Sequence, residues 1–320
     1  MSEQRIILIE NPCYLSVDTG RIKLSRPEMP DTFILSDDIA VLCIHHPAIT
    51  ISQSVLQALG KSKSVLITTD KNHHPQTLTL PWYGHSRQLQ RLKQQFSLQD
   101  QNNEINNILW QQLIQARLRT QAQTLRFTGK KGALRLERLA TQVTPGDPKI
   151  LEGQGAKHYW KYLFDEGEGD IKKRQKQGAT DTLNVRLNFG YAILRSMIAR
   201  ELAIAGLQPA LGIGHHNQDN PFNLADDFIE AYRFAVETWV IQHDHESDFD
   251  AKARQQLLQF ITQSLKIKKQ TYRLPSAITE TVGSYCRILK KAHKKNKRSE
   301  KLKLTLPEKQ GDSWPQMVGV

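Results

Sequence analysis

The chain has 320 residues, 39% of them hydrophobic, and carries 44 Lys and Arg against 32 Asp and Glu, a formal charge of +12. That length can bury a sizeable core and sets two domains as a soft expectation. No apolar run reaches the roughly 18 residues of a membrane span, since Arg195 and Arg200 interrupt even the most hydrophobic helix, so no membrane segment is expected. The opening MSEQRIILIENP lacks a basic start and a long apolar stretch, and reads as no signal peptide. Cys13, Cys43 and Cys286 are odd in number and far apart, unsuited to a disulfide framework or a C-x-x-C zinc site. A reduced, cytoplasmic setting is expected.

The first 80 residues or so are β-rich. RIILIE, YLSV, RIKLS, TFILS, IAVLCI and SVLITT are rich in β-branched or aromatic residues and are separated by turn residues. Asp18-Thr19-Gly20 suits a hairpin turn. One helix is expected within the series, ISQSVLQALG, closed by Gly60. Thr77 to Leu80 is the last expected strand, and Pro81-Trp82-Tyr83-Gly84 marks a boundary.

From Ser86 the period becomes helical. Leu89, Leu92 and Phe96 mark one helix, and Ile105, Leu109, Leu113 and Ala116 a second. Gly129 to Ala140 is a third. Leu183 to Gly206 is the clearest, with Leu187, Tyr191, Leu194, Ile198 and Leu202 on one stripe and Gly206 as its C-terminal cap. One continuous helix is expected after Asn220-Pro221, with two more over Ala251 to Ile267 and Ser276 to Lys295. The fold class expected is α+β. A β-rich domain over 1–84, an all-α domain over 85–305 and a disordered tail over 306–320 are expected.

Candidate chemistry concentrates in GIGHHNQDNPFNLADDFIE, residues 212–230. Asp227 and Glu230 lie three apart and would share a helix face that Phe228, Ile229 and Phe234 otherwise make apolar. Carboxylates are costly there unless paired or bound to a cation. Oxygen ligands with one imidazole suit a hard or borderline divalent ion. Acidic residues near a helix start are also common because they suit its dipole, so this segment does not decide alone. Upstream, Glu152 sits among Gly153, Gly155 and Ala156, small residues that let another backbone approach.

The charge points to a polyanionic partner, with added solubility as the alternative. Two basic runs sharpen it: IKKRQK at 171–176 and KKAHKKNKRSEKLK at 290–303. Lys172, Lys173, Arg174, Lys290, Lys291, Lys294 and Lys295 are the candidate DNA contacts.

Four blocks in order resemble one known family. They are Glu152 to Trp160 (E-G-x-x-A-x-x-Y-W), Asp181, Asn184, Leu187, Tyr191 and Leu194 (D-x-x-N-x-x-L-x-x-x-Y-x-x-L), Gly206 to His215 (G-L-x-P-x-L-G-x-x-H), and Asp227, Glu230 and Arg233 (D-x-x-E-x-x-R). Together they resemble the spacer-integrating endonuclease of CRISPR adaptation, the most widespread CRISPR-associated family. The Asn-Pro-Phe-Asn run is most similar to the branch that accompanies single-protein effectors. The resemblance implies that Glu152, His215 and Glu230 bind catalytic Mg²⁺ or Mn²⁺, with His215 preferred over His216 by spacing and Asp227 behind the ligands. Asp226 is additional to the pattern. It further implies a DNA endonuclease and integrase, joining a short fragment to a CRISPR array by 3′-hydroxyl attack on a phosphodiester. The implied partners are double-stranded DNA (protospacer and repeat) at the catalytic helical domain, a second copy of the chain paired through the β-rich domain (dimerisation), where RIILIE and IAVLCI form either the interface or the domain's own core, and a small companion adaptation protein that completes a heterohexamer. Two other classes stand beside this one: a non-catalytic nucleic-acid scaffold, and a zinc hydrolase built on the histidine pairs at 45–46, 73–74 and 215–216, none of which forms H-E-x-x-H.

Overall fold

The computed structural model describes residues 5–70, 75–81, 87–99, 103–164, 174–175, 178–243, 248–267, 270–292, 302–307 and 316–317. Eight strands and one helix form the N-terminal part: β1 Arg5–Ile9, β2 Tyr14–Asp18, β3 Arg21–Arg26, β4 Met29–Leu35, β5 Ile39–Ile44, β6 Thr50–Ile51, α1 Gln53–Lys61, β7 Val65–Thr69 and β8 Pro75–Thr79. They make two four-stranded sheets, ordered β1-β5-β7-β8 and β4-β3-β2-β6. The turn between β2 and β3 is the expected one: Asp18 pairs with Arg21, and Thr19 and Gly20 both take positive φ. Such a turn matches the twist of the strands it joins. Gly60, expected to close α1, lies inside it, and the helix ends at Lys61 with Ser62 as cap.

IAVLCI is buried on both faces. Leu42, with the partly buried Ile44, joins Leu15, Ile22 and Val55 in a core between the two sheets, whereas Val41 and Cys43 join the core of the helical part. Alternate residues of a strand point to opposite faces, so one run of six serves two cores. The strand is therefore internal packing rather than a dimer surface. Exposed apolar side chains lie instead on β2 and β4, at Tyr14, Met29, Phe33 and Leu35.

The helical part comprises α2 Gln88–Phe96, α3 Glu104–Phe127, α4 Ala133–Gln142, α5 Leu151–Leu163, α6 Thr182–Ile204, α7 Asn223–Ile229, α8 Arg233–Gln242, α9 Ala251–Leu257 and α10 Leu274–Ala292. α6 is buried around its circumference rather than along one stripe. It ends as expected: Gly206 has positive φ and donates to Ala203 O, and Leu207 donates to Leu202 O, the paired bonds that close a helix on a left-handed residue.

Several expectations change. The third helix begins at Ala133, after Gly132 at φ +99°, rather than at Gly129. On α2 Leu89 and Phe96 are exposed while Gln94 and Gln95 are buried, Gln94 accepting from Arg91 and Gln95 donating to Gln208 O and accepting from Gln208 N. The expected 251–267 helix stops at Leu257, passes through a 3-10 turn over Leu258–Thr262, and becomes β9, Gln263–Ile267. There Gln263, Leu265 and Ile267 are buried while Lys266 is exposed, a strand period that outweighs helix propensity once β10, Gln270–Arg273, pairs alongside. Of the tail expected to be disordered, β11 (Gln316–Met317) pairs with Gln263 and Ser264 of β9. Among the described residues no helix is long and apolar enough to cross a membrane.

Candidate metal centre

Five elements converge on one point. Glu152 lies in the first turn of α5, where Asp147 accepts the backbone N–H groups of both Leu151 (3.0 Å) and Glu152 (2.9 Å). These two bonds satisfy donors that a helix start leaves free, and they fix where α5 begins. Gly155 lets α5 sit directly on α3, since a Cβ there would come within 2.1 Å of Leu118 Cδ2. Gly153, by contrast, faces only Ile150.

The expected single helix after Asn220-Pro221 is broken. α7 ends at Ile229, α8 starts at Arg233, and the chain between makes i→i−3 bonds from Ala231 to Phe228 and from Tyr232 to Ile229. Glu230 stands at this break, 4% exposed, and Arg233 Nε donates to it at 3.1 Å. Asn223, expected as a start signal, instead ties the preceding loop by donating to Ala210 O and Asn217 O.

His215 is positioned by Asp227, which is fully buried. The Asp227 carboxylate accepts from the backbone N–H of Ile213, Gly214 and His215, and its Oδ1 lies 2.7 Å from His215 Nδ1. A carboxylate at Nδ1 leaves Nε2 as the free lone pair of the neutral ring. The ring packs edge-on against Trp110 of α3, at 5.4 Å between centroids. Gly214 is required beneath it, since a Cβ would meet the Trp110 ring at 2.3 Å. The adjacent His216 is exposed.

Arg117 of α3 joins the set, and no motif announced it. Its side chain is 7% exposed, and its Nη1 contacts Glu152 Oε1 and, at 2.6 Å, Glu230 Oε2. Glu152 and Glu230 thus meet on one guanidinium. The carboxyl of Glu230 lies below its ordinary range: burial alone would raise it, and the positive charges of Arg117, Arg233 and His215 together outweigh that. The imidazole of His215 is raised, chiefly by its bond to Asp227, with Glu230 and Glu152 adding to it. Both acids therefore act on the ring electrostatically. Among the described residues no three acid, histidine or cysteine side chains stand in finished metal-binding geometry, and Arg117 lies between the two acids. Glu230 Oε2 is buried, and its partners are the guanidinium groups of Arg117 and Arg233.

Other candidates serve structure. Asp226 pairs with both Nε (2.6 Å) and Nη2 (2.8 Å) of Arg195, which joins α7 to α6. Asp181 caps α6 by accepting from Asn184 N, and Asn184 Oδ1 accepts from Arg174 Nη1 at 2.9 Å. Arg174, expected as a DNA contact, also donates to Asn188 and lies over the Tyr191 ring at 5.3 Å, so its guanidinium is committed within the protein. Lys290 and Lys291 are exposed at the end of α10. Lys172, Lys173, Lys294 and Lys295 lie outside the described residues, as do His73 and His74. His45 Nδ1 bonds Thr69, and His46 Nδ1 accepts from Ala48 N.

The family model for the CRISPR associated protein Cas1 matches residues 6–261. The chain belongs to the Cas1 family. It is accordingly a metal-dependent endonuclease and integrase of CRISPR spacer acquisition. The CRISPR-associated endonuclease Cas1 of Neisseria meningitidis serogroup C (strain 8013) is 32% identical over 286 residues, covering 88% of this chain and 90% of that protein. Two solved structures share the fold. A casposase bound to integration product aligns at TM-score 0.74 with 16% identity, covering 93% of this chain and 94% of that one. A Cas6-RT-Cas1–Cas2 complex aligns at TM-score 0.72 with 18% identity, covering 95% of this chain and 36% of that one.

Proposed function

We propose that Glu152, His215 and Glu230 hold the divalent ion, Mg²⁺ or Mn²⁺, and that the site joins the 3′-hydroxyl of a DNA fragment to a phosphodiester of repeat DNA. The observation that carries this is the meeting of Glu152 and Glu230, from α5 and the α7–α8 break, on one buried cation. The donor set fits the ion: two carboxylates and an imidazole with Nε2 free suit Mg²⁺ and Mn²⁺ better than a soft metal. When bound, such an ion polarises the phosphodiester and stabilises charge on the attacking and leaving oxygens. The chain's own part is to orient. Asp227 holds the His215 tautomer, Trp110 holds its ring plane, and Asp147 fixes the α5 turn that presents Glu152.

Lys290 and Lys291, with Lys172, Lys173, Lys294 and Lys295, are proposed to contact phosphate; such contacts place the duplex without reading it. Double-stranded protospacer and repeat DNA are the proposed substrates, in line with the fold shared with a casposase bound to integration product. A homodimer is proposed through the sheet that exposes Tyr14, Met29, Phe33 and Leu35, an apolar surface suited to a second copy. A small companion protein completing a heterohexamer is proposed as well; a Cas6-RT-Cas1–Cas2 complex is among the structures that share the fold.

The test is strand joining on a repeat-containing duplex. Glu152→Ala, His215→Ala and Glu230→Ala should each abolish joining in Mg²⁺ or Mn²⁺ while duplex binding persists, because phosphate contacts elsewhere carry most of the affinity. Joining that survives in any one of the three would refute the ligand assignment.

A further inference from the structure

We propose that Arg117 is an internal counter-cation that occupies the carboxylate oxygens a divalent ion needs, so that ion loading and release of the Arg117 contacts are one competitive event. This rests on the metal assignment above. Arg117 sits on α3, its side chain almost fully buried, and its charge contacts are the two proposed ligand acids. Its Nε is buried with no hydrogen bond, so no neutral acceptor anchors the guanidinium from behind. Arg233 differs. It also faces Glu230, but it lies over the Tyr191 ring at 4.7 Å, beside Glu237, which accepts from Tyr191 and Tyr159 at 2.7 and 2.6 Å. Arg233 is thus built into a buried network that persists whether or not an ion is present, whereas Arg117 is held chiefly by the site itself.

The electrostatic sign follows from the geometry. The buried carboxylate of Glu230 and the half-buried one of Glu152 share one partner and repel each other unless a cation lies between them. Without the ion, Arg117 supplies that cation and keeps the acids charged and together. With the ion, the Arg117 contacts to the two carboxylates are released, and the displaced guanidinium, anchored on α3, stays near a divalent charge. Removing the Arg117 charge both raises the energy of the ion-free site and relieves repulsion in the loaded one. Both effects tighten ion binding. The native chain therefore gives up affinity for an ion-free site whose acids stay paired, and half-loading takes a higher free-metal concentration.

The experiment is Mn²⁺ titration calorimetry of the full chain above neutral pH, with thermal unfolding in chelator and in Mn²⁺, for the native protein, Arg117→Gln, Arg117→Lys, Glu152→Gln and Glu230→Gln. Arg117→Gln should bind Mn²⁺ about 10- to 100-fold more tightly, the scale on which groups behind metal ligands act. It should melt lower in chelator and gain more from Mn²⁺ than the native chain does, while Arg117→Lys stays near native. Unchanged or weaker binding by Arg117→Gln would overturn the proposal and make Arg117 a clamp that pre-shapes the site. Should Arg117→Gln not fold, arginine side-chain nitrogen NMR of the native chain decides. The Arg117 Nη signals should shift on saturation with Mg²⁺, and unchanged signals overturn the idea. Native Mn²⁺ binding matched by Glu152→Gln and Glu230→Gln, or absent altogether, would instead bring down the metal assignment and this inference with it.

Discussion

Replacing Asp227 by Asn probes the whole construction of the site while changing only one atom of the side chain. Asp227 is fully buried and accepts four bonds, from three successive backbone N–H groups and the His215 ring. An amide keeps one acceptor oxygen. Its least costly orientation leaves that oxygen on Ile213 and Gly214 and turns the NH₂ toward His215. The ring then accepts at Nδ1 and must carry its proton on Nε2, while the His215 backbone N–H loses its partner. One orphaned buried N–H costs about 1–3 kcal/mol, and bonds weakened from charged to neutral add about 0.5–1 kcal/mol each. About 3 kcal/mol in all is expected. Unfolding entropy near 2 cal/mol/K per residue converts this to a fall of about 4–5 °C for a chain of this length. The wrong tautomer also removes the lone pair a metal needs, so Mn²⁺ affinity should drop about 10- to 100-fold. Scanning calorimetry and Mn²⁺ titration read both. A variant with native melting temperature and native Mn²⁺ affinity would refute the role of Asp227 as organiser of the loop.

Two glycines of α5 should respond with opposite signs. Gly153→Ala meets only Ile150 at 3.4 Å and should stabilise by about 0.5–1 kcal/mol, whereas Gly155→Ala collides with Leu118 and should destabilise by about 1–3 kcal/mol; chemical denaturation distinguishes them. The raised His215 imidazole predicts opposing pH trends. Its bond to Asp227 stabilises the metal-free fold fully below the ordinary 6.5 and is lost as pH rises through the raised value. Mn²⁺ needs the neutral ring, so its affinity should climb over that same range, and a flat profile between pH 6 and 8.5 would contradict the assignment. Duplex binding should weaken by about 0.9 log units per phosphate contact for each tenfold rise in salt, and Lys290→Gln with Lys291→Gln should lower that slope by about two contacts. Phe33→Glu with Leu35→Glu should convert a dimer to a monomer in sedimentation, and a native chain that is monomeric at micromolar concentration would exclude the dimer.

Local pattern carried much of the fold. Strand alternation, the Thr19-Gly20 turn and the Gly206 cap depend on neighbours within a few residues, and each stands where its sequence places it. The four motif blocks likewise marked Glu152, Asp227, His215 and Glu230, since each pairs a polar group with apolar or small neighbours. Nothing local announced Arg117. A single arginine among Leu113, Ile114 and Leu118 on α3 reads as a solvated residue until α5 and the α7–α8 break bring two acids to it. The buried glutamines of α2, the strand at Gln263–Ile267 and the inward turn of Arg174 have the same origin. In each, the partner is distant in sequence: Gln208 for Gln95, β10 and β11 for β9, Asn184 and Asn188 for Arg174. Periodicity says that a residue has an inner face, but what waits on that face is decided only when the remote element packs, because burial rewards whichever polar groups find partners there.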